Sequence, residues 1–520
     1  MESLNLHLEH LRFDGGDSEG EEQIFKSLDG VLQALAEDKH KTSSLIAESD
    51  VLPAFARLLQ SNPLCAVKAA EVLAEIAKNE EMKTHCIDAG LVPVLIPLLD
   101  STDQEMLLHV GRAIGRICYD NNDLQEQLVG AEVITSLVRI MSNYPDNEPL
   151  VRVNLLALSN LADIDTAKQA LSKTRVAEHL VHQLRAANHH EKVEIILEVL
   201  HTLAENDALK SQLVEAGIQE AIVEILQRLQ DSSKPEDVCS LKAASDLIVS
   251  LLLGDSNCVR MVQLGIVRQL LDLLEQHVES GDVSVQHAAL SALRNLAIPV
   301  ANKVQMLDEG VGQRIQMLLR SEMPPVQFKL LGTLRMLMDG QADAAEELGQ
   351  DPVLLHRLVQ WCDSNDHAGV CGEANRLLAS LLRHSCSQEV VKAIQEAQAM
   401  KHLVSMATSE HAIMQNEALI ALAIASAVNL EIIKDTFKEA KLVQNIHKLL
   451  QDESTGPEVK YNSIGLLCSL LNSGDLRKEA EEDKMKETLE KLCGHINGNV
   501  AKQALMAVQI LNEEHRLFEP

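Results

Sequence analysis

The chain has 520 residues, of which 46% are hydrophobic and only 2% aromatic, and its 77 acidic and 46 basic residues give a formal net charge of −31. This charge repels phosphate backbones and anionic lipids, so the composition argues against nucleic-acid binding and peripheral membrane binding. With so few aromatic residues, the core must consist of Leu, Ala, Val and Ile, which is typical of packed helices.

The N-terminal residues predict a cap rather than a repeat. The acidic, glycine-rich stretch from Gly15 to Glu22 predicts a flexible tail, and residues 1–45 are expected to hold this tail and a capping helix. The first residues lack the basic and apolar runs of a signal peptide, and we find no apolar run of about eighteen residues. Ten cysteines without a CxxC pair indicate reduced thiols. We therefore expect a cytoplasmic protein that does not insert directly into membranes. An additional nuclear location stays open as an alternative.

From there on, an apolar helix recurs every 41 to 48 residues. One position stays in phase throughout, at Glu75, Arg116, Asn160, Thr202, Ser250, Asn295, Met336, Ser380 and Ser469. A unit of this size cannot bury its own apolar face, so its neighbours must cover it. The periodicity therefore predicts a solenoid with a long binding groove.

The segment from Asp88 to Asn121 shows how one unit is built. A turn at Gly90 leads into an apolar helix from Val92 to Leu99, and a polar break precedes a second helix that begins at Gln104. Glycines recur at the same turn in other units, where a positive φ angle is expected. They are Gly90, Gly217, Gly265 and Gly310.

Three helices per unit favour armadillo repeats over two-helix HEAT repeats. The third helix ends in L-x-N-L-A at Asn160 and Asn295. We predict an all-α, right-handed armadillo-repeat solenoid, a superhelix of stacked helical hairpins, with about ten repeats in residues 46–480 and capping helices in residues 481–520. Such a capped stack needs no second copy for stability, so a monomer is expected.

Acidic side chains recur where the third helices end and predict a site for a basic partner. They are Asp163, Asp165, Glu205, Asp207, Asp246 and Asp339. Successive repeats stack about 8 to 10 Å apart, a spacing that suits a lysine-rich segment. Each exposed ion pair contributes only about 0.2 to 1 kcal/mol, so several must act together. The alternative is that these side chains only cap and solvate helix ends. Nuclear-import armadillo proteins hold a basic peptide with a ladder of Asn and Trp residues. This chain has only two of the asparagines and no tryptophan beside them, which argues against that kind of peptide capture.

Motifs for enzymatic chemistry are missing from the sequence, which has no GxxxxGK[ST], HExxH or GxSxG. Histidines pair at His179 with His182 and at His189 with His190, but no carboxylate or thiolate completes a zinc-like set. We expect no catalytic residues, no metal and no cofactor.

Several long runs resemble the smg GDS family, armadillo-repeat guanine nucleotide dissociation stimulators of small GTPases. They include AEVLAEIAKNE, GRAIGRICYD, LAENDALK, QHAALSALRNLAIPV and SEMPPVQFKLLGTLRMLMD, and they extend over nearly the whole chain. The resemblance implies an exchange factor and chaperone, without catalytic chemistry of its own, for Rho- and Ras-family GTPases with a basic, prenylated C-terminus. RhoA-like, Rac, Rap and K-Ras proteins are the implied partners. An adaptor that binds a basic or helical peptide without exchange activity stays open as the alternative.

The resemblance also implies binding residues. Glu205, Asp207 and Asp246 are expected to contact the basic tail, and Asn295 with Arg335 the GTPase surface. The complete expected site comprises Asp163, Glu205, Asn206, Asp207, Asp246, Arg294, Asn295, Arg335 and Asn375.

Two junctions depart from the family pattern. After GRAIGRICYD the chain continues into a unit that resembles a later repeat, as in the short family form, which is associated with prenylated partners. A second repeat of about 40 residues is missing near Asp255. The departure puts the register of the groove and the exchange activity in question.

Overall fold

The computed structural model describes residues 2–13, 18–252, 254–364 and 366–513. In this part of the chain every regular element is a helix and there is no strand. The chain divides into two compact units, Met1–Leu251 and Leu252–Pro520, which are considered separately. The all-α prediction is confirmed.

In the first unit, seventeen helices are described, and two of them adjoin 3₁₀ turns at Leu52–Ala54 and Ile96–Asp100. They are α1 (Glu2–Arg12), α2 (Ser18–Glu37), α3 (Lys39–Glu48), α4 (Phe55–Leu58), α5 (Pro63–Ile76), α6 (Glu80–Asp88), α7 (Leu91–Leu95), α8 (Gln104–Ile117), α9 (Asn122–Gly130), α10 (Val133–Asn143), α11 (Glu148–Leu161), α12 (Asp165–Ser172), α13 (Val176–Ala186), α14 (His190–Leu203), α15 (Asp207–Glu215), α16 (Ile218–Leu229) and α17 (Pro235–Leu251).

The second unit contains the remaining helices, with a 3₁₀ turn at Ile315–Arg320. They are α18 (Asp255–Gln263), α19 (Ile266–Ser280), α20 (Val283–Leu296), α21 (Val300–Asp308), α22 (Val311–Arg314), α23 (Pro324–Met338), α24 (Ala342–Gly349), α25 (Pro352–Asp363), α26 (Ala368–Ser385), α27 (Gln388–Glu396), α28 (Met400–Met406), α29 (Ala412–Glu439), α30 (Leu442–Gln451), α31 (Pro457–Leu470), α32 (Gly474–Glu482), α33 (Met485–Leu492) and α34 (Gly498–Glu513).

The helices form triplets of a short, a middle and a longer third helix, as expected for armadillo repeats. Ten triplets occupy the described residues from Lys39 to Leu470, and α32 to α34 form a further triplet where the sequence predicted capping helices.

The expectation of a flexible tail from Gly15 to Glu22 is wrong in part. Residues 18–22 form the first turns of α2, which packs against α1, and residues 14–17 lie outside the described residues.

The third helices pack against one another from repeat to repeat and carry the core of each unit. In the first unit α5, α8, α11, α14 and α17 follow one another in contact, and in the second unit α20, α23, α26, α29, α31 and α34 do the same. Their apolar sides are buried, with Leu73, Leu158 and Leu200 inaccessible to solvent. All nine in-phase positions lie on these helices and are half-buried. They therefore mark the border between the core and the exposed face of the third helices.

The glycine prediction is confirmed at all four turns. Gly90, Gly217, Gly265 and Gly310 have φ angles of 70°, 91°, 86° and 82°, and each precedes the middle helix of its triplet. At these four turns the left-handed conformation turns the chain from the first helix into the middle helix, and glycine adopts it without steric cost.

Helix α29 is long and apolar enough to span a membrane by length and composition, although we found no apolar run of about eighteen residues in the sequence. Its backbone breaks at Asn429, with φ −158° and ψ 79°, so it consists of two shorter helices. The helix packs against α26 and α31, and Ala418, Leu419 and Leu422 are completely buried there. We therefore interpret α29 as the third helix of one repeat continued by the first helix of the next.

The turn geometry predicts a backbone cost for replacing Gly265. No atom lies within 4 Å of a Cβ atom added there, so a Gly265→Val variant would be destabilised by its positive φ alone, by about 1 to 2 kcal/mol. Gly474 is equally open but lacks a positive φ, so Gly474→Val is the matched control and should change stability little. Chemical unfolding followed by circular dichroism measures both, and equal midpoints for the two variants would contradict the assignment.

Candidate functional site

The first unit exposes four carboxylates at the turns that follow two third helices. Asp163 and Asp165 follow α11, and Glu205 and Asp207 follow α14. We call these four residues the acidic turns. Negative charge is favourable there, because the N-termini of α12 and α15 carry the positive end of the helix dipole. Asp246 lies in the middle of α17 and is half-buried.

The acidic turns are partly neutralised within the chain. Lys168 of α12 donates a 2.6 Å hydrogen bond to Glu205, and its side chain is 9% exposed whereas that of Glu205 is 63% exposed. This hydrogen bond lowers the pKa of Glu205. Asp163 and Asp207 form no ion pair with a described residue and are therefore the more available carboxylates. Asn206 has a structural role, because its side chain caps α15 by accepting from the backbone N–H of Leu209 at 3.0 Å.

In the second unit, Arg335 belongs to a buried ion network that connects three repeats. Arg335 of α23 donates to Glu373 of α26 at 3.1 Å, and Glu373 also accepts from Arg376 at 3.3 Å. Arg376 then forms a bidentate pair with Glu417 of α29, at 2.8 and 2.9 Å. Glu373 is only 8% exposed, so its charge requires both arginines. Arg335 is thus held in place by Glu373 rather than free to move.

Asn375 lies beside this network, at the edge of a cavity of about 730 Å³ whose lining includes Phe328, Cys371 and His402. Its Nδ2 donates to the backbone carbonyl of Cys371 at 3.1 Å, whereas its buried Oδ1 accepts no hydrogen bond. A buried amide oxygen without a donor costs free energy.

The two remaining predicted residues lie one repeat earlier, on α20. The side chain of Arg294 covers Gly332 of α23, since a Cβ atom there would lie 3.3 Å from Arg294 Nε. Asn295 is half-buried, and its backbone carbonyl accepts a weak hydrogen bond from the thiol of Cys258. The predicted residues are therefore divided between the units. Asp163, Glu205, Asn206, Asp207 and Asp246 lie in the first, and Arg294, Asn295, Arg335 and Asn375 in the second.

Asp339, another predicted carboxylate, is engaged by its own unit. His384 Nε2 lies 3.0 Å from Asp339 Oδ1, and Lys303 Nζ lies 3.7 Å from Oδ2. The other ring nitrogen of His384 accepts from the backbone N–H of Gly340 at 3.2 Å, which requires the neutral imidazole. Burial lowers the pKa of His384 although Asp339 opposes this effect.

Sequence reasoning missed a basic groove in the first unit. It has a volume of about 1200 Å³ and runs along α5, α8, α11 and α14. Six lysine and arginine side chains line it against three glutamates, in a protein of net charge −31. The basic residues are Lys78, Lys83, Arg112, Arg116, Arg152 and Lys192. The sequence contained one indication of this groove. The in-phase position changes from Glu75 in one repeat to Arg116 in the next, and Arg112 lies one helical turn before Arg116.

No three His, Cys, Asp or Glu side chains come together as a metal site within the described ranges. The described surfaces offer charged groups, hydrogen-bonding groups and apolar contact area.

Comparison with known proteins agrees with this geometry. The Armadillo/beta-catenin-like repeat family matches residues 79–119 and 254–298. Vacuolar sorting protein 39 domain 1 matches residues 133–258, a span of stacked helices. A chain from the solved structure on a phosphorylation switch between cadherin and beta-catenin has a TM-score of 0.67 at 16% identity, covering 98% of this chain and 91% of that chain. The fold is that of an armadillo-repeat protein.

Two curated relatives identify the family within the armadillo-repeat proteins. "Rap1 GTPase-GDP dissociation stimulator 1-A" of Xenopus laevis is 42% identical, over 98% of this chain and 99% of that protein. "GTPase-GDP dissociation stimulator vimar" of Drosophila melanogaster is 27% identical over 86% and 90% of the two chains. The chain belongs to the family of GTPase-GDP dissociation stimulators, as its resemblance to the smg GDS proteins predicted.

The Xenopus relative is longer than this chain. Their alignment extends over 604 residues, at least 84 more than the 520 of this protein, and covers nearly all of both. The difference equals about two repeats of 41 to 48 residues. Its size agrees with the two missing repeats that the sequence predicted, whereas their positions stay a prediction.

The ion network of α23, α26 and α29 predicts a large cost for removing its central carboxylate. A Glu373→Leu variant leaves Arg335 without its counter-charge, while Arg376 keeps only Glu417, and we expect the free energy of unfolding to fall by about 2 to 4 kcal/mol. Glu410→Leu, at an exposed position, is the control with the same chemical change. Guanidinium unfolding tests this, and a loss below about 1 kcal/mol would show that the network contributes little.

The environment of His384 predicts a loss of stability in acid. Because its pKa is lowered in the folded protein, the unfolded chain binds more protons as the pH falls below the ordinary histidine pKa of about 6.5, so the free energy of unfolding decreases. A His384→Asn variant should lose less stability between pH 7 and pH 5 than the unaltered protein. His356→Asn, at an exposed position, is the control. An unchanged pH dependence in His384→Asn would refute the role of this side chain.

Proposed function

We propose that this protein is a guanine nucleotide exchange factor and chaperone for small GTPases of the Rho and Ras families, with a basic, prenylated C-terminus. RhoA-like, Rac, Rap and K-Ras proteins are the proposed partners. The observation that carries the proposal is the near full-length identity of 42% with a relative named for GDP dissociation from Rap1. The protein acts in the cytoplasm, and also in the nucleus, as a monomer.

The acidic turns supply the contact for the basic tail. Asp163 and Asp207 are exposed and free of intrachain ion pairs with described residues, so lysines of a partner meet unneutralised carboxylates there. Glu205 joins them by exchanging its bond with Lys168 for one with the tail, which lowers its net contribution. Asp246, on the next third helix α17, extends the negative surface along the first unit. Each pair contributes only about 0.2 to 1 kcal/mol, so tail binding requires the whole set.

The surface for the GTPase domain is proposed on the second unit. Arg335 is fixed by Glu373, and Asn375 holds an unused amide acceptor at the edge of the cavity beside it. Arg294 and Asn295 add a cation and an amide on α20. Fixed polar groups bind with little loss of side-chain entropy, which favours one conformation of the partner over others.

Exchange then follows from differential binding. A protein that binds the nucleotide-free form of a GTPase more tightly than the GDP-bound form raises the population of the free form and thereby promotes GDP release. No general acid, base or metal is needed for this step, so the protein regulates its partner without catalytic chemistry of its own.

The prenyl group adds an apolar contribution to tail binding. Burial of a prenyl chain contributes about 0.8 kcal/mol per CH₂ group. A stack of helices can accommodate such a chain by separating neighbouring repeats, because each repeat contacts only its neighbours. In this way the protein shields the lipid of the GTPase from water during transfer to a membrane.

A second function is an adaptor that binds a basic or helical peptide without exchange activity. The length difference of at least 84 residues from the Xenopus relative favours it specifically. If about two repeats are missing, the surfaces that contact the tail and the GTPase domain are separated differently than in that relative. Tail binding would then persist while the nucleotide site of the partner is no longer distorted.

One triple variant tests the acidic contact. Replacing Glu205 by Gln and Asp207 and Asp246 by Asn removes three charges with little change in shape, and we expect the affinity for a basic-tailed RhoA-type GTPase to fall at least about tenfold. The affinity should also become less sensitive to salt. Fluorescence anisotropy measures binding, and circular dichroism confirms folding. A variant with three charges removed at Asp308, Glu309 and Glu347 in the second unit is the control.

The release of a fluorescent GDP analogue, measured with the prenylated and the unprenylated GTPase, separates the two functions. Accelerated release supports the exchange factor, and binding without release supports the adaptor. Unchanged affinity of the triple variant would remove Glu205, Asp207 and Asp246 from the proposal.

A further inference from the structure

The basic groove of the first unit is independent of the proposed GTPase contacts and has its own charge balance. Each of its three glutamates is already paired with a lining cation. Lys78 lies 2.8 Å from Glu75, Arg152 lies 2.7 Å from Glu191, and Lys192 lies 2.9 Å from Glu148; the atoms are Nζ or Nη1 and a carboxylate oxygen. The three carboxylates of the groove therefore neutralise three of its six cations. The other three cations have no carboxylate partner among the residues that line the groove.

The cations that are left over lie on α8. Arg112 forms no hydrogen bond or ion pair with a described residue, and Arg116 donates only to the backbone carbonyl of Ala74, at 2.6 Å. The two guanidinium groups also repel each other, and burial together with Arg112 lowers the pKa of Arg116 although Glu75 opposes this. Lys83 of α6, by contrast, is already paired with Glu80 at 2.6 Å and lies 5.1 Å from the ring centre of Tyr119, so Arg112 and Arg116 are the cations that lack a carboxylate partner among the described residues. An anionic partner would satisfy these groups.

An apolar recess opens into the floor of the same groove. Gly111, Gly115, Ala157 and Asn160 line both, and the recess continues between Ile114, Leu128, Leu137 and Leu161 as a void of about 20 Å³. A Cβ atom at Gly115 would have no neighbour within 4 Å, so the entrance is open. Leu156 and Tyr119, 44% and 57% exposed, flank the groove. The void itself holds little more than a methyl-sized group, so the recess suits one apolar side chain that rests over Gly115 at its entrance, between the exposed Leu156 and Tyr119.

The dimensions favour a protein segment over a small anion. The groove crosses four third helices, which at about 8 to 10 Å between neighbours gives a length of about 30 Å. An extended chain rises about 3.3 Å per residue, so about nine residues fit. The volume of about 1200 Å³ also exceeds the range of about 300 to 1,000 Å³ typical of small-molecule pockets.

We propose that the basic groove binds an extended acidic segment of a partner protein, with Asp or Glu side chains on Arg112 and Arg116 and one Leu-like side chain in the recess over Gly115. This partner has the opposite charge to the basic tail expected at the acidic turns. The first unit thus carries two surfaces of opposite specificity. The segment is held by charge along its length and set in register by its apolar side chain.

The experiment uses the full-length protein and a fluorescein-labelled peptide of about nine residues, with Glu and Asp around a central Leu. A peptide with Ser in place of Leu, a peptide with Lys in place of the acids, and a labelled oligothymidylate are compared with it by fluorescence anisotropy. The acidic Leu peptide should bind most tightly, its affinity should fall with salt, and the Lys peptide should not bind at this groove.

Two substitutions locate the binding. Arg112→Glu should weaken the acidic Leu peptide at least about tenfold, whereas Arg268→Glu, the same change on an exposed arginine of the second unit, should not. Gly115→Leu fills the recess and should reduce the affinity for the Leu peptide to that for the Ser peptide. Circular dichroism verifies that each variant is folded.

Failure of the acidic Leu peptide to bind, or equal binding by Arg112→Glu and the unaltered protein, would overturn the proposal. Binding of oligothymidylate that depends on Arg112 and exceeds that of the peptide would assign the groove to nucleic acid instead. These outcomes are separate from those of the GTPase assay. None of the substituted residues belongs to the acidic turns or to the proposed GTPase surface, which comprises Arg294, Asn295, Arg335 and Asn375.

Discussion

Every feature of this protein depends on the burial of apolar third helices by their neighbours. A single repeat has no core of its own, so α8 is stable only between α5 and α11, and the same holds along each unit. As a result, one side of every third helix and the turn that follows it do not contribute to the core. The side chains that we propose to contact partners lie there.

Charge then decides what each surface can bind. The acidic turns and the basic groove belong to the same unit, although the protein as a whole is strongly acidic. Intrachain pairs adjust both surfaces: Lys168 neutralises part of Glu205, and Glu148 and Glu191 neutralise Lys192 and Arg152. The residues that lack such pairs with described residues, Asp163, Asp207 and Arg112 among them, carry the available charge. In the second unit the ion network of Glu373 instead serves to hold Arg335 in one position.

Much of the fold could be predicted from the sequence because the repeat is local. The period of 41 to 48 residues, the positive φ at Gly265 and the start of α8 at Gln104 each follow from a short stretch of chain. The family followed from long runs of sequence. The binding surfaces were less predictable, because their charges are paired across repeats. The partner of Glu205 is 37 residues away, and that of Arg335 is 38 residues away. Asn206 was expected to bind a partner but caps α15, a role that its position before a helix already indicated.

The account requires that a basic-tailed GTPase contact the acidic turns of the first unit. Hydrogen–deuterium exchange of the full-length protein, with and without a prenylated RhoA-type GTPase, tests this contact most directly. The account predicts slower exchange at residues 163–168 and 205–210 in the complex, and a smaller effect when the basic residues of the tail are replaced. Unchanged exchange at both turns, with a stable complex formed, would contradict it.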